Sequence, residues 1–280
     1  MTLSRQSSTR EALAVSKPLV QQRFGANAAQ YVTSSVHATG ASLARVVELV
    51  SPQKTWHALD IATGAGHMAL AFAPHVARVV ASDITPEMLD ETAKLAVAKG
   101  LGNVETALAD AEALPYAADS FDLVSSRIAP HHFPNMPRFV AEVRRVLKPG
   151  GKFALVDNIA PDADTTPGFS AEQLAAADVS YNLFEKIRDP SHGRALTAAG
   201  WRGLVGNCGL ALRHQEIMPK AMGFVAWCRN MAVPPLLAAE LAAMLADAEP
   251  CLAAFLQPTE KDGDTIFMLR ELVLIAAKPA

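Results

Sequence analysis

Acidic residues and glycines recur at positions that could bind a charged nucleoside. Asp60 follows a short apolar run, and Gly64 and Gly66 come soon after it. Glycines in such a turn let the backbone approach a ligand that a Cβ atom would keep away. Asp83 ends the next apolar run, where a carboxylate can accept hydrogen bonds from both hydroxyls of a ribose. Residues 110–112 (DAE) follow a third run and offer a carboxylate and a backbone amide to the edge of an adenine ring.

The charge of Asp60 helps to choose between two nucleoside cofactors. Residues 64–69 (GAGHMA) formally match the G-x-G-x-x-[GA] pattern of dinucleotide sites, so a nicotinamide or flavin cofactor has to be considered. A carboxylate is repelled by a pyrophosphate but attracted to a cationic amino-acid group. Asp60 therefore favours S-adenosylmethionine, whereas Asp83 suits either cofactor. In the competing structural explanation, Asp60 caps the following helix and the glycines make a plain tight turn.

Two adjacent histidines are the candidate catalytic residues. His131 and His132 lie in the segment 127–133 (RIAPHHF), which follows a fourth predicted strand. A neutral imidazole has a pKa suited to removing a proton from a hydroxyl, a phenol or an acidic carbon near neutral pH. The alternative is that both rings only bond to the loop backbone, and His132 is expected to pack near the cofactor. No third ligand stands at a recognisable spacing, so no metal site is predicted.

Two further polar segments could reach the same site. Asp157 and Asn158 end a fifth predicted strand, where they either face a substrate or only terminate the strand. Residues 189–194 (DPSHGR) are expected to open a helix, from which His192 could reach the pocket. Helix capping explains Asp189 and Ser191 in that motif equally well.

Short apolar strands alternate with longer helical patterns, which predicts a parallel sheet. The predicted strands cover residues 57–62, 78–82, 104–108, 121–125 and 152–157, and the helices cover 66–72, a segment capped by Thr85, and 136–147. Five such units make a doubly wound sheet, whose ligands bind at the carboxyl ends of the strands.

The rest of the chain is predicted to complete the sheet and cover it. We expect helices over 170–187, up to Gly200, over 220–231 and over 236–248, and strands over 210–217 and 265–277. The turn at residues 261–264 (KDGD) makes the last strand antiparallel. The predicted fold class is α/β, a doubly wound seven-stranded Rossmann-like sheet with a helical lid. One domain spans 1–280, with a helical lid segment at 1–45, a cofactor-binding core at 46–160, a helical insertion at 161–200, and the remaining sheet with substrate-side helices at 201–280.

Four segments together resemble a known family. LDIATGAGH, ASDITPEML, ADAEALPYAADSFDLVSSRIAPHHF and VRRVLKPGGKFALVD are similar, in order and spacing, to class I methyltransferases of the ubiquinone/menaquinone-biosynthesis branch. The resemblance spans about residues 56–158. One departure is Ala62, where the family often has a third glycine. Residues 23–31 (RFGANAAQY) are similar to a segment that folds over the cofactor in related enzymes, where Phe24 and Tyr31 would exclude water; a helical core contact is the alternative.

The resemblance implies S-adenosylmethionine as the cofactor and a role for each matching residue. Asp60, Gly64 and Gly66 would line the methionine end, and Asp83 would hold the ribose. Ile84 and Met88 would flank the adenine, although Met88 could be plain core. The predicted catalytic residues are His131 and His132, and the predicted cofactor-binding residues are Tyr31, Asp60, Ile61, Ala62, Gly64, Gly66, Asp83, Ile84, Met88, Asp110, Ala111, Glu112 and Arg127.

The amino-acid composition limits the binding partners and the cellular compartment that we expect. The 25 basic residues are scattered and outnumbered by 28 acidic ones, so no nucleic-acid partner is expected. The three cysteines form no CxxC pattern, which favours a reducing compartment. No apolar run approaches the roughly 20 residues of a membrane span, and we expect a cytoplasmic protein.

The region from Ser170 to Arg194, with Phe169, Tyr181 and Phe184, and the helices after Ile217 are expected to form an apolar cover. We therefore expect methyl transfer from S-adenosylmethionine to a small, hydrophobic or aromatic organic acceptor, at carbon, oxygen or nitrogen. A homodimer is left open, as are two other functions. The first is an NAD(P)-dependent oxidoreductase, which shares the glycine loop and Asp83. The second is a protein that binds S-adenosylmethionine without catalysis.

Overall fold

The computed structural model describes residues 16–33 and 40–280 of the chain. Its centre is one mixed sheet, ordered β3-β2-β1-β4-β5-β8-β6, with the short β7 paired to β8. The strands are β1 (His57–Ile61), β2 (Arg78–Asp83), β3 (Val104–Leu108), β4 (Phe121–Arg127), β5 (Leu147–Asn158), β6 (Ala211–Gly223), β7 (Thr259–Lys261) and β8 (Asp264–Ala277). The first five are parallel, and β8 is antiparallel to both of its long neighbours. The predicted fold class is confirmed, with β7 as a three-residue addition.

Helices cover both faces of this sheet. Within the described residues they are α1 (Lys17–Thr33), α2 (Ala41–Val50), α3 (His67–Phe72), α4 (Pro86–Ala98), α5 (Met136–Val146), α6 (Ala171–Arg188), α7 (Ala198–Asn207), α8 (Phe224–Arg229), α9 (Pro235–Ala246) and α10 (Pro250–Leu256). None of them is long and apolar enough to cross a lipid bilayer.

Alternate residues of the central strands face opposite sides of the sheet, as the two-residue period of a strand requires. Leu59 and Val124 belong to one core cluster, which includes Phe139 of α5 and Trp201 of α7. The neighbouring Ala58 belongs to a second cluster on the other face, together with residues of α2 and α3. Burial on both faces explains why consecutive residues in the middle of these strands, such as Ala58–Leu59 and Leu123–Val124, are apolar.

A third cluster lies in the helices added after β5. Tyr181 and Phe184 of α6 pack with Trp227 of α8, and residues of α9, α10 and β8 complete this cluster. We call helices α6 and α8–α10 the cap. Ser170 starts α6 with a capping box, in which its hydroxyl accepts from the N–H of Gln173 and the Gln173 side chain accepts from the N–H of Ser170.

The cofactor-side edge of the sheet is defined by topology. β1 lies between β2 and β4, so the strand order reverses at β1. In open α/β sheets a crevice forms outside the carboxyl ends of the strands at such a point. Asp60, Asp83, Arg127 and Asp157 all lie at or next to the carboxyl end of a strand on this edge.

Several element boundaries differ from the predictions. Residues 189–194 do not open a helix: they follow α6, and Asp189 is its C-cap residue. A helix ending at Gly200 was also wrong, because Thr197 accepts a hydrogen bond from the N–H of Gly200 and so caps the start of α7. Thr85 stands at the N-cap position of α4, but its side chain makes no capping bond.

The strand β6 is longer than the sequence predicts. Residues 220–223, which were predicted to be helical, continue the pairing with β8, and α8 begins only at Phe224. Pro219 ordinarily argues against a strand because it lacks an N–H donor. β6 is the last strand in the sheet order, and an edge strand can hold a proline on its unpaired side.

Candidate active site

One cavity opens at the carboxyl ends of β1, β2, β4 and β5. Its wall contains most of the predicted site residues, namely Asp60, Ala62, Gly64, Asp83, Ile84, Met88, Asp110, Ala111, Glu112, Arg127, His131 and His132. Ile61 lies in the core instead, because its side chain points into the cluster under α5. Of the predicted residues that the structure describes, Gly66 and Ile61 do not line the cavity. The side chain of Tyr31 is not among the described parts of the chain.

The Asp60 carboxylate is held firmly by the protein. Its two oxygens accept hydrogen bonds from the hydroxyls of Ser125 and Thr63, each at 2.6 Å. The backbone N–H of Ala69, in the first turn of α3, also lies near enough to favour the ionised carboxylate. Burial raises the pKa of Asp60 to about 6, against the lowering effect of these bonds and of the Arg127 charge. The carboxylate is thus held by two hydroxyl groups and presents negative charge to the cavity wall.

The glycine loop has the strained backbone that its sequence suggested. Gly64 and Gly66 have φ angles of 54° and 84°, and Ala62 has 53°, all in the left-handed region. An L-residue there costs roughly 1–2 kcal/mol, which accounts for the preference for glycine at the position of Ala62. A Cβ on Gly64 would meet no atom within 4 Å, whereas one on Gly66 would lie 2.6 Å from the Cγ2 of Thr92. The loop is open at Gly64 and closely packed at Gly66.

Asp83 ties the glycine loop to the start of α4. Its Oδ2 accepts from the N–H of Gly64 and its Oδ1 from the N–H of Thr85, both at 2.9 Å. Burial raises the pKa of Asp83, and the backbone hydrogen bonds oppose that shift. Because a carboxylate has about four lone-pair positions, these two bonds leave acceptor capacity for a ligand hydroxyl.

Helix α1 reaches across the third acidic segment. The Lys17 ammonium donates to Asp110 and to Glu112, in each case at 2.7 Å. Burial opposes ionisation of Asp110, but the bonds from Lys17 and from the N–H of Glu112 lower its pKa overall. Further along the helix, the Gln21 amide donates to the Ile84 carbonyl at 2.8 Å. α1 therefore closes the end of the cavity where the resemblance places adenine.

The two adjacent histidines have different partners. The Nδ1 of His131 lies 2.6 Å from Oδ1 of Asp157, and the His131 backbone N–H donates to Oδ2 at 3.0 Å. Asp157 is fully buried. Burial lowers the pKa of His131, but the charge and hydrogen bond of Asp157 dominate and raise it overall. Within the described residues the Nε2 atom of His131 has no hydrogen-bond partner, so it can meet a ligand in the cavity.

His132 and His192 complete a cluster of three imidazoles. The Nδ1 of His132 donates to the Ser191 carbonyl at 2.9 Å, which fixes its tautomer. Burial, and then the charge of His131, lower the pKa of His132 to about 4. His192 lines the cavity, and its Nε2 lies 3.0 Å from the Asn182 amide oxygen. Among the described residues, no three His, Cys, Asp or Glu side chains are placed to hold a metal ion.

The apolar lining of the cavity matches the sequence predictions only in part, because Phe24 and residues after Ile217 line it whereas three predicted aromatic residues do not. Phe169, Tyr181 and Phe184 were expected to line it, but they belong to the core of the cap. The lining comes instead from Val20, Phe24, Met222, Trp227, Met231 and Leu269. The Phe24 ring meets the His132 ring edge-on at 5.0 Å between centroids.

Charged side chains of α6 and β6 also line the cavity, and the sequence analysis did not single them out. They are Glu185, Arg188 and Lys220, joined by Lys17 at the other end. No local motif marks them, because each reaches the site only through packing of a helix or strand against the core. A carboxylate on the otherwise apolar face of α6 was the available signal for Glu185.

Comparison with known proteins agrees with this geometry. A methyltransferase-domain family model matches residues 59–155. The uncharacterised methyltransferase YcgJ of Bacillus subtilis is 33% identical over 211 residues, which cover 75% of this chain and 79% of YcgJ. The ubiquinone/menaquinone biosynthesis C-methyltransferase UbiE of Paracoccus denitrificans is 36% identical over 115 residues, 40% of this chain and 46% of UbiE. The crystal structure of BH2331 from Bacillus halodurans has a TM-score of 0.78 and 35% identity, covering 86% of this chain and 100% of that one.

The sheet order, the glycine loop and the acids beyond β1, β2 and β3 define a class I methyltransferase that uses S-adenosylmethionine. The chain belongs to the methyltransferase family, in the branch similar to UbiE. The cavity fits the cofactor, because Gly64 leaves open space beside its wall and the wall carries carboxylates where a cationic nucleoside would lie.

Proposed function

We propose that this enzyme methylates an oxygen or an acidic carbon of a small, mainly apolar acceptor, with His131 as the general base. The observation that carries the proposal is the His131–Asp157 pair, in which Nδ1 is held at 2.6 Å and Nε2 is left without a partner among the described residues. An amine acceptor would need no such base.

The His131–Asp157 pair is arranged so that Nε2 of His131 can remove a proton from the acceptor. Because the Asp157 carboxylate accepts from Nδ1–H, the neutral imidazole keeps its lone pair on Nε2. The carboxylate then stabilises the imidazolium that forms when Nε2 takes the acceptor proton. His132 has no carboxylate within hydrogen-bonding distance, since Asp189 Oδ2 is 4.0 Å from its Nε2. We therefore assign it a packing role beside Phe24.

The cofactor roles follow from the same wall. When bound, S-adenosylmethionine supplies an electrophilic methyl group. We assign Asp60, Gly64 and Arg127 to the methionine end, Asp83 to the ribose, and residues 84–88 and 110–112 to the adenine. Tyr31 and the other residues of α1 would cover the site. In this proposal the chain forms a single domain. Residues 1–45 are the lid segment and 46–160 the cofactor core, while the insertion 161–200 and the C-terminal part 201–280 together bind the acceptor.

The lining suggests the character of the acceptor. Trp227, Met222 and Leu269 present apolar surface next to the histidines. Such a lining stabilises a flat or aliphatic body through burial of apolar area. A phenol or enol with an apolar body combines that surface with a proton that a histidine can remove.

The test compares His131→Asn with the wild type, using labelled S-adenosylmethionine and a panel of phenols. We expect kcat to fall by about 10²–10⁴ because a positioned base is lost. Cofactor affinity, measured by calorimetry, should change less than about threefold. His75→Asn is the matched control, since His75 is exposed in a short helix after α3. Unchanged kcat in His131→Asn would contradict the assignment.

A further inference from the structure

The cavity wall formed by the cap holds a buried carboxylate that the proposed reaction does not use. The Glu185 side chain, on α6, is 6% exposed and lines the cavity. Among the described residues its Oε1 atom meets no donor at good hydrogen-bond geometry, although the Tyr181 hydroxyl lies near enough to interact with this carboxylate. Its Oε2 atom lies 3.7 Å from a guanidinium nitrogen of Arg188, which is beyond hydrogen-bonding distance.

This arrangement is unfavourable for the empty protein. Burial raises the pKa of Glu185, and the positive charges of Arg188 and His131 oppose the shift only in part. Native proteins give nearly all buried polar atoms a partner. An unpaired atom in the wall of a cavity therefore marks a place where a ligand can supply the missing donor.

A second unpaired acceptor lies in the same wall. The Oδ1 atom of Asn158 is also buried without a partner among the described residues. The backbone N–H of Asn158 donates to Oδ1 of Asp157 at 3.0 Å. Asn158 is thereby fixed beside the carboxylate that orients His131. Glu185, Asn158 and the proposed base are all residues of one cavity wall.

We propose that Glu185 and Asn158 form a subsite for a neutral hydroxyl group of the methyl acceptor, distinct from the group that is methylated. The proposal rests on the function proposed above. Because the two protein oxygens accept hydrogen bonds, the ligand group that binds them has to donate one. The cations around Glu185 argue against an ammonium group, because Arg188 and Lys220 already exert positive charge there.

Three matched series of probes test the subsite. They are the 2-, 3- and 4-methylphenols, the corresponding hydroxybenzyl alcohols, and the corresponding hydroxybenzylamines. Binding is measured by calorimetry to the full chain with S-adenosylhomocysteine present. We expect at least one hydroxybenzyl alcohol to bind about tenfold more tightly than its methylphenol and its amine, the effect of one hydrogen bond to a charged acceptor.

The variant Glu185→Leu should abolish that preference without loss of folding. Leucine removes a carboxyl group whose burial is unfavourable, so the melting temperature should be unchanged or higher. Glu240→Leu is the control, because Glu240 is exposed on α9. The subsite is overturned by equal binding of alcohol and methylphenol, by preference for the amine, by no binding of any probe, by a preference that survives Glu185→Leu, or by a melting temperature several degrees lower.

The same probes separate this proposal from the catalytic one. Methyl transfer to a methylphenol, compared between wild type and His131→Asn, reports on the base alone. Loss of that transfer together with no alcohol preference would remove the Glu185 subsite and leave His131 as the base. An alcohol preference with transfer unchanged in His131→Asn would keep the subsite and remove the base.

Discussion

Replacement of Asp157 by Asn changes the proposed base without removing it. Oδ1 of Asp157 lies 2.6 Å from Nδ1 of His131, and Oδ2 accepts from the His131 backbone N–H at 3.0 Å. Asparagine offers one acceptor oxygen and one amide NH₂ group in place of two acceptors. If the oxygen keeps the backbone N–H, the NH₂ group faces Nδ1. The imidazole proton then moves to Nε2, which can no longer accept a proton.

The expected loss in kcat is the contribution of a general base, about 10²–10⁴. The pH dependence has a definite sign. In the wild type, kcat should fall as the pH drops through the raised pKa of His131, because the imidazolium cannot take a proton. Without the carboxylate, burial lowers the pKa of His131, so any remaining activity should persist to lower pH.

Stability gives an independent measure of the same pair. A histidine with a raised pKa in the folded state contributes stability that is fully present below its unfolded pKa, about 6.5. That contribution is lost as the pH rises through the folded pKa. The difference in unfolding free energy between wild type and Asp157→Asn should therefore shrink between slightly acidic and alkaline pH.

The assays are labelled methyl transfer over a pH series and chemical unfolding at each pH. Asp164→Asn is the control, because Asp164 is half-exposed and pairs with Arg202 at the surface. It should leave both profiles unchanged. Retention of kcat within about threefold in Asp157→Asn, with the same acid limb, would refute the reasoning.

Other consequences follow from the cofactor side. Gly66→Ala should lower the unfolding free energy by at least about 2 kcal/mol, from left-handed strain and overlap with Thr92, but Gly64→Ala by only about 1 kcal/mol; equal losses by denaturant titration would contradict this. Affinity for S-adenosylmethionine should fall as the pH drops through about 6, the pKa of Asp60, and calorimetry should show no such limb in Asp60→Asn. Lys17→Ala should cost less than about 1 kcal/mol of stability, because its ion pairs are one-third exposed, and a larger loss on denaturation would be unexpected.

The site residues at the carboxyl ends of the strands could be predicted because short stretches of sequence mark them. Asp60 and Asp83 each close an apolar strand, and a strand end with a carboxylate and a glycine turn is visible within about ten residues of sequence. Parallel pairing then brings such ends together without further information. Boundaries failed at two places: residues 220–223 were predicted to be helical but continue β6, and Thr197 was not recognised as a helix start.

The contacts that bring α1 and α6 over the cavity could not be predicted because they join segments far apart in the sequence. Lys17 is 93 residues from Asp110, and no periodicity connects them. The neighbourhood of Glu185 and His131 depends on how α6 packs over the strand ends. In both cases a charged residue on a helix is explained by its tertiary partner, and the sequence alone does not show that partner.

The two adjacent histidines show why the choice of base also needed the fold. His131 and His132 have the same side chain and the same near-complete burial, and burial lowers the pKa of both. Their pKa values nevertheless move in opposite directions, because only His131 touches a carboxylate. That carboxylate belongs to β5, the strand next to β4 in the sheet, and the 26-residue separation is closed by strand pairing. The base is therefore assigned by strand order, and any change that shifts the register of β5 against β4 should abolish it while leaving both histidines in place.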